Sequence, residues 1–163
     1  MEHPRLYIMG LYERGLRAEK ITRHCRVTQC LAARGGKEWL IAVAPPIAPD
    51  DHTVMPDPEA IRAFRVPGML AIKLHRGTWH AGPYFTASTV DFLNLELSDT
   101  NETDHVNCYL TRDLGIALRF EIRMDEPPMS SDRDPAWNTG PFAACRASTP
   151  LSSHVPRSSP RPS

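Results

Sequence analysis

Charge of one sign in excess, a membrane-length apolar run and a recognisable cysteine spacing are all missing from this sequence. Nineteen Lys and Arg balance nineteen Asp and Glu over 163 residues, so no sequence-wide field draws the chain to nucleic acid or to anionic lipid. A small-molecule substrate is the expected partner, with no nucleic acid and no membrane. The opening MEHPRLYIMGLYERG carries Glu2 and no apolar run, so no signal peptide is legible, and no later segment reaches membrane length. The expected setting is cytoplasmic. Cys25, Cys30, Cys108 and Cys145 follow neither a disulfide nor a zinc spacing, which predicts reduced thiols. Helical signal is scarce as well: DPEAIRAF is the one helix-like patch and is too short to organise a fold.

What is present divides the chain near Met124. Residues 124–163 hold eight of the sixteen prolines and eight serines, without apolar periodicity, so this segment is expected to be a disordered tail. Residues 1–123 form the expected domain, and they read as strands. GIALRFEIR (115–123) alternates, with Ile116, Leu118, Phe120 and Ile122 on one face. VDFLNLELS (90–98) sets Asp91, Leu93, Leu95 and Leu97 against Phe92, Asn94 and Glu96. EWLIAVAPP (38–46) is apolar throughout, as a strand covered on both faces is. RLYIMGLYE and AEKITRH are weaker candidates. AFRVPGMLAIKLH (63–75) predicts a hairpin around a Pro67-Gly68 turn. Many short strands separated by turn signals imply an all-β sandwich or small barrel.

One stretch asks for more than packing. HRGTWHAGPYF (75–85) places His75 and His80 around a glycine turn, with Trp79 beside them and Gly82-Pro83 interrupting the strand that follows. Imidazole titrates near neutrality and is the commonest metal ligand, so either histidine could move protons or bind a metal. The plainer alternative is hydrogen bonding to loop carbonyls. Trp79 is read either as core or as a substrate contact. KITRHCRVTQC (20–30) adds His24 and Gln29, and Asp91 opens a strand from which it could orient a histidine. The acidic run SDTNETDH, with Glu102, Asp104 and His105, reads as a solvated loop.

HRGTWHAGPYF followed by VDFLNLELSDTNETDH, with RHCRVTQCLAARGGKEWLIAVAPP upstream in order and distance, resembles the ureidoglycolate lyase family of the cupin superfamily across about residues 20–110. The resemblance implies a cupin-like double-stranded β-helix, a small antiparallel barrel. It implies cleavage of ureidoglycolate to glyoxylate and urea in allantoin (purine) catabolism, and a homodimer by analogy with paired cupin barrels. Family strands would precede the matching segment, so the chain is expected to lack N-terminal strands. The resemblance makes His80 the expected ligand or catalytic histidine and sets His24 and Gln29 where a metal-binding cupin has two histidines and a glutamate, so a divalent metal such as nickel is a candidate cofactor on His24 and His80. Two histidines and Gln29 make a weaker metal site than three histidines and a carboxylate.

The chemistry then sets roles. Ureidoglycolate bears a hydroxyl, a carboxylate and a ureido nitrogen on one carbon, so elimination needs a base for the hydroxyl proton, an acid for the departing nitrogen and a cation for the carboxylate. His80 and His24 are expected to be catalytic, with His75 and Asp91 in support. Lys73 or Arg76 is expected on the carboxylate, Gln29 on the ureido group, and Trp79 against the substrate. The competing reading is a non-catalytic cupin-like binding protein or a truncated pseudoenzyme.

Overall fold

The computed structural model describes residues 3–122, 143–145 and 147–148. It is built almost wholly of antiparallel strands: β1 (Pro4–Tyr12), β2 (Arg17–Ala18), β3 (Lys20–Arg23), β4 (Gln29–Ala33), β5 (Gly36–Ala44), β6 (Arg62–Gly68), β7 (Ala71–Leu74), β8 (Trp79–Tyr84), β9 (Thr89–Leu97), β10 (Val106–Tyr109) and β11 (Leu118–Phe120). The all-β architecture expected from the alternating stretches is the one observed. Two short pieces of the segment expected to be disordered, β12 (Ala143–Cys145) and β13 (Ala147–Ser148), are strands. The rest of that segment beyond residue 122 lies outside the described residues.

The strands form a four-stranded sheet in the order β1-β9-β4-β7, a six-stranded sheet in the order β10-β3-β8-β5-β6-β12, and a small sheet β13-β11-β2. β5 shows how they stack. Trp39 and Ile41 pack with Leu31, Phe92 and Leu74 of the four-stranded sheet, whereas Leu40, Ala42 and Ala44 pack with Leu118, Phe120 and Leu110 on the other side. A strand apolar on both faces is thus buried on both faces. The six-stranded sheet is the middle layer, packed on the four-stranded sheet on one side and on β2 and β11 of the small sheet on the other.

Three expectations change. AFRVPGMLAIKLH does not make a hairpin: β6 pairs with β5 and β12, and β7 pairs with β4. The chain does turn, with the Leu70 amide donating to the Pro67 carbonyl at 3.0 Å, but this turn carries it from one sheet to the other. Gly82-Pro83 does not end β8. Leu40 pairs with Tyr84 and Ala42 with Ala81, so β8 holds one extra residue and bulges there. The acidic run is not all loop, for Thr100–Thr103 forms a short helix, α1, and Leu110–Leu114 forms α2 after β10.

Close backbone approach fixes the corner between β5 and β6. Gly68 faces Gly36 in register, and a Cβ on Gly68 would lie 2.1 Å from the Gly36 carbonyl carbon. Gly68→Ala is therefore expected to cost about 1–3 kcal/mol. Gly10→Ala, where an added Cβ meets nothing nearer than 3.4 Å, should change stability little. Chemical denaturation of the two variants measures the difference, and equal stabilities would contradict the packing described.

Candidate active site

The face that β3 and β8 turn toward the four-stranded sheet is set by one ladder pair, Thr22 opposite His80. Paired residues of neighbouring strands point to the same side, and so does the residue two further on. Thr22, His24 and His80 therefore share a face. They line a pocket of about 300 Å³ together with Lys20, Gln29 and Asn94. Period two also explains the sequence Trp79-His80: the indole goes to the far core, where it is wholly buried, and the imidazole goes to the pocket.

His24 is held by its neighbours from three directions. Its Nδ1–H donates to the Asp104 carbonyl at 2.5 Å. The Asp104 carboxylate accepts from the backbone amides of Cys25 and Arg26 at 2.6 and 2.7 Å. The Gly77 amide donates to the His24 carbonyl at 2.7 Å. Gly77 must be glycine here, since its φ is +78° and a Cβ would meet the Pro49 side chain at 2.6 Å. The turn between His75 and Trp79 thus serves to fasten His24.

A carbonyl can only accept, so the bond to Asp104 places the proton of neutral His24 on Nδ1 and leaves Nε2 with its lone pair. His80 is set the same way by the Thr78 carbonyl, 3.3 Å from Nδ1. The His24 ring centroid lies 5.2 Å from that of His80 and 5.4 Å from that of His105, which stacks on it. Burial lowers His80 from 6.5 to about 4, and repulsion from His24 adds to the effect. His105 is lowered by burial and then by His24. Both flanking imidazoles are neutral at pH 7, and neutral His80 is a base in waiting.

Opposite the imidazoles stands an amide wall. Glu96 of β9 has no exposed side-chain surface. It accepts from Gln29 Nε2 at 2.9 Å, from the Tyr7 hydroxyl at 2.9 Å, and from Asn94 and Asn101 Nδ2 at 3.2 Å each. Arg5 pairs with it at 3.1 Å. Cationic side chains on the lining are Lys20 and Arg14. Arg14 donates to the Pro83 carbonyl at 3.2 Å and lies over the Tyr84 ring.

Of the residues expected at the site, His24, His80 and Gln29 come together. The other five do not line the pocket. His75, Lys73 and Arg76 are exposed, because β7 turns Leu74 inward and its odd-numbered neighbours outward, and Arg76 pairs with Asp50 at 3.0 Å. Asp91 lies on the outward face of β9, 3.7 Å from Arg34. Trp79 belongs to the core and carries the Arg23 guanidinium 4.7 Å over its ring. Residues the sequence did not assign to the site are His105, read there as part of a solvated loop, and Lys20, Arg14, Asn94 and Glu96. Period two gave a signal for three of them, since Lys20 shares a face with Thr22 and His24, and Asn94 and Glu96 share one with Phe92.

The donor set does not complete a metal centre. Three histidines and Gln29 line the pocket, but among the described residues no group of three or more His, Cys, Asp or Glu side chains is placed to hold an ion.

A family model described as Ureidoglycolate lyase matches residues 7–116. A search of curated proteins finds no match.

Because folded His80 resists protonation, the unfolded chain takes up that proton first as pH falls below 6.5. The penalty grows until pH reaches about 4, where it amounts to roughly 3 kcal/mol. Urea denaturation of wild type and His80→Gln at pH 7 and pH 4.5 should show the wild type losing more stability between the two. Parallel losses would contradict the burial of a neutral imidazole.

Proposed function

The chain belongs to the ureidoglycolate lyase family, and from that premise we propose how its own residues cleave ureidoglycolate to glyoxylate and urea. The observation that carries the proposal is the pair of buried imidazoles, each with Nδ1 tied to a backbone carbonyl. Lys20 and Arg14, on the rim of the pocket, hold the substrate carboxylate in the places first expected of Lys73 and Arg76. His80 Nε2 removes the hydroxyl proton. As the carbonyl of glyoxylate forms, the bond to the ureido nitrogen breaks, and the proton taken up by His80 is delivered to that nitrogen by way of His24, whose ring centroid is 5.2 Å away, so no proton is consumed overall.

Neutral His80 suits a base of this kind, because burial stops it from being occupied by a proton at pH 7. Asp104 and Gly77 are positioning residues that act through His24.

The reading extends to setting. Cys25, Cys30 and Cys108 are free thiols, which supports a reducing compartment such as the cytoplasm, and no helix among the described residues is long and apolar enough to cross a membrane. A homodimer is supported by Leu6, Ile8, Leu93 and Leu95, exposed on the outward face of β1 and β9, where Leu6 pairs with Leu95 and Ile8 with Leu93.

Incubation with fresh ureidoglycolate should give urea and glyoxylate in equal amounts above the spontaneous rate. His80→Gln should lower kcat by about 10²-fold or more, while treatment with a chelator should leave the rate unchanged. A folded protein that binds substrate analogues and gives only the background rate would support the non-catalytic binding protein instead. Loss of activity on chelation, restored by nickel, would place a metal on His24 and His80.

A further inference from the structure

Glu96 is an anomaly of the core. It is a carboxylate in a strand position flanked by Asn94, without exposed side-chain surface, and it satisfies five donors at once: Arg5, Tyr7, Gln29, Asn94 and Asn101. Four of those five donors line the pocket. Burying a charge this deeply is costly unless it is paired and fully hydrogen-bonded, and such an arrangement suits a structure in which its consequences are used.

The consequence is an orientation. A carboxylate accepts and does not donate, so the amide nitrogens of Gln29 and Asn94 must be the ends that face Glu96. The Tyr7 hydroxyl gives its proton to Glu96 and therefore accepts from Asn94 Nδ2, at 2.8 Å, which fixes Asn94 a second time. Both carboxamides thus turn their oxygens away from Glu96. Gln29 Oε1 and Asn94 Oδ1 are buried and have no hydrogen-bond partner among the described residues. Gln29 and Asn94 themselves both line the pocket, whose opposite wall holds the imidazoles. An unpaired buried acceptor is expensive, and a ligand bearing N–H groups relieves it.

We infer that Gln29 and Asn94, locked in orientation by Glu96, form a selectivity element for the N–H groups of a ureido ligand. The inference rests on the lyase reading for the identity of the natural substrate but not for the recognition itself. A ureido group offers three N–H bonds from two nitrogens. An acetamido group of nearly the same shape offers one, and its methyl would face a buried oxygen. Sites built around polar partners reject analogues that lack them more strongly than apolar pockets reject a changed methyl group. Glu96 is a positioning residue in this scheme, and Gln29 and Asn94 touch the ligand.

The test compares N-carbamoylglycine with N-acetylglycine, two carboxylates that lack the hydroxyl and are not cleaved, by calorimetric titration. The wild type should prefer N-carbamoylglycine by at least about tenfold. Gln29→Met and Glu96→Gln should bring that preference close to one, and with ureidoglycolate they should raise KM by more than they lower kcat. Should Glu96→Gln fail to fold, Gln29→Met, which removes a single donor from the network, decides the matter. A wild type that does not discriminate, or folded variants that keep the full preference, would overturn the inference. Discrimination without cleavage of ureidoglycolate would uphold the selectivity element and defeat the lyase mechanism. Cleavage without discrimination would do the reverse.

Discussion

The pairing of Thr22 with His80 is the constraint on which the candidate site depends. β3 reaches β8 through this one ladder pair, and it decides which face of both strands looks into the barrel. Shifting the register by one residue would send His80 into the apolar core and bring Trp79 to the pocket. Several features resist that slip. Trp79 is wholly buried beneath Arg23, Thr22 donates to Asn107 on its other neighbour at 2.7 Å, and Gly77 and Asp104 grip the chain at His24. The turn at residues 75–79 and the loop after α1 thus converge on one histidine, which explains why so unusual a stretch as HRGTWHAGPYF is needed.

The pocket has two chemically different walls. The six-stranded sheet contributes imidazoles whose protons are steered to Nδ1 by backbone carbonyls. The four-stranded sheet contributes Tyr7, Gln29 and Asn94, gathered by the carboxylate of Glu96. Both walls carry groups that are costly to bury alone. They are tolerated because each is tied to a partner of fixed polarity, and those ties leave the unpaired atoms where a ligand can use them. A polar network of this kind contributes less to stability than to specifying one arrangement.

Much of the fold was legible, because strands announce themselves through period two. The alternation in VDFLNLELS is the alternation of β9, and the unbroken apolar run of EWLIAVAPP is the doubly covered β5. Which face of β9 turns inward was not legible. Leu93 and Leu95 point outward while Asn94 and Glu96 are buried, and hydrophobicity alone argues the opposite. The site residues divide on the same point. His24, His80 and Gln29 share the pocket, whereas Lys73 and His75 follow the outward direction set by β7, an edge strand, and Arg76 in the turn beyond it pairs with Asp50. A glutamate in an alternating strand reads as a solvent-facing residue, so the group that organises one wall left no mark in composition, and in spacing only the face it shares with Phe92. The Pro67-Gly68 pair signalled a turn without showing that the two strands belong to different sheets.

The central claim is that His80 enters the reaction as a neutral base with its lone pair on Nε2. The most direct measurement is a ¹⁵N nuclear magnetic resonance titration of the histidine rings in the folded protein. The account predicts that His80 stays unprotonated well below its ordinary 6.5, titrating at about 4, with its hydrogen on Nδ1 throughout the neutral range. A His80 that takes up its proton near 6.5, or that carries its hydrogen on Nε2 when neutral, would contradict it.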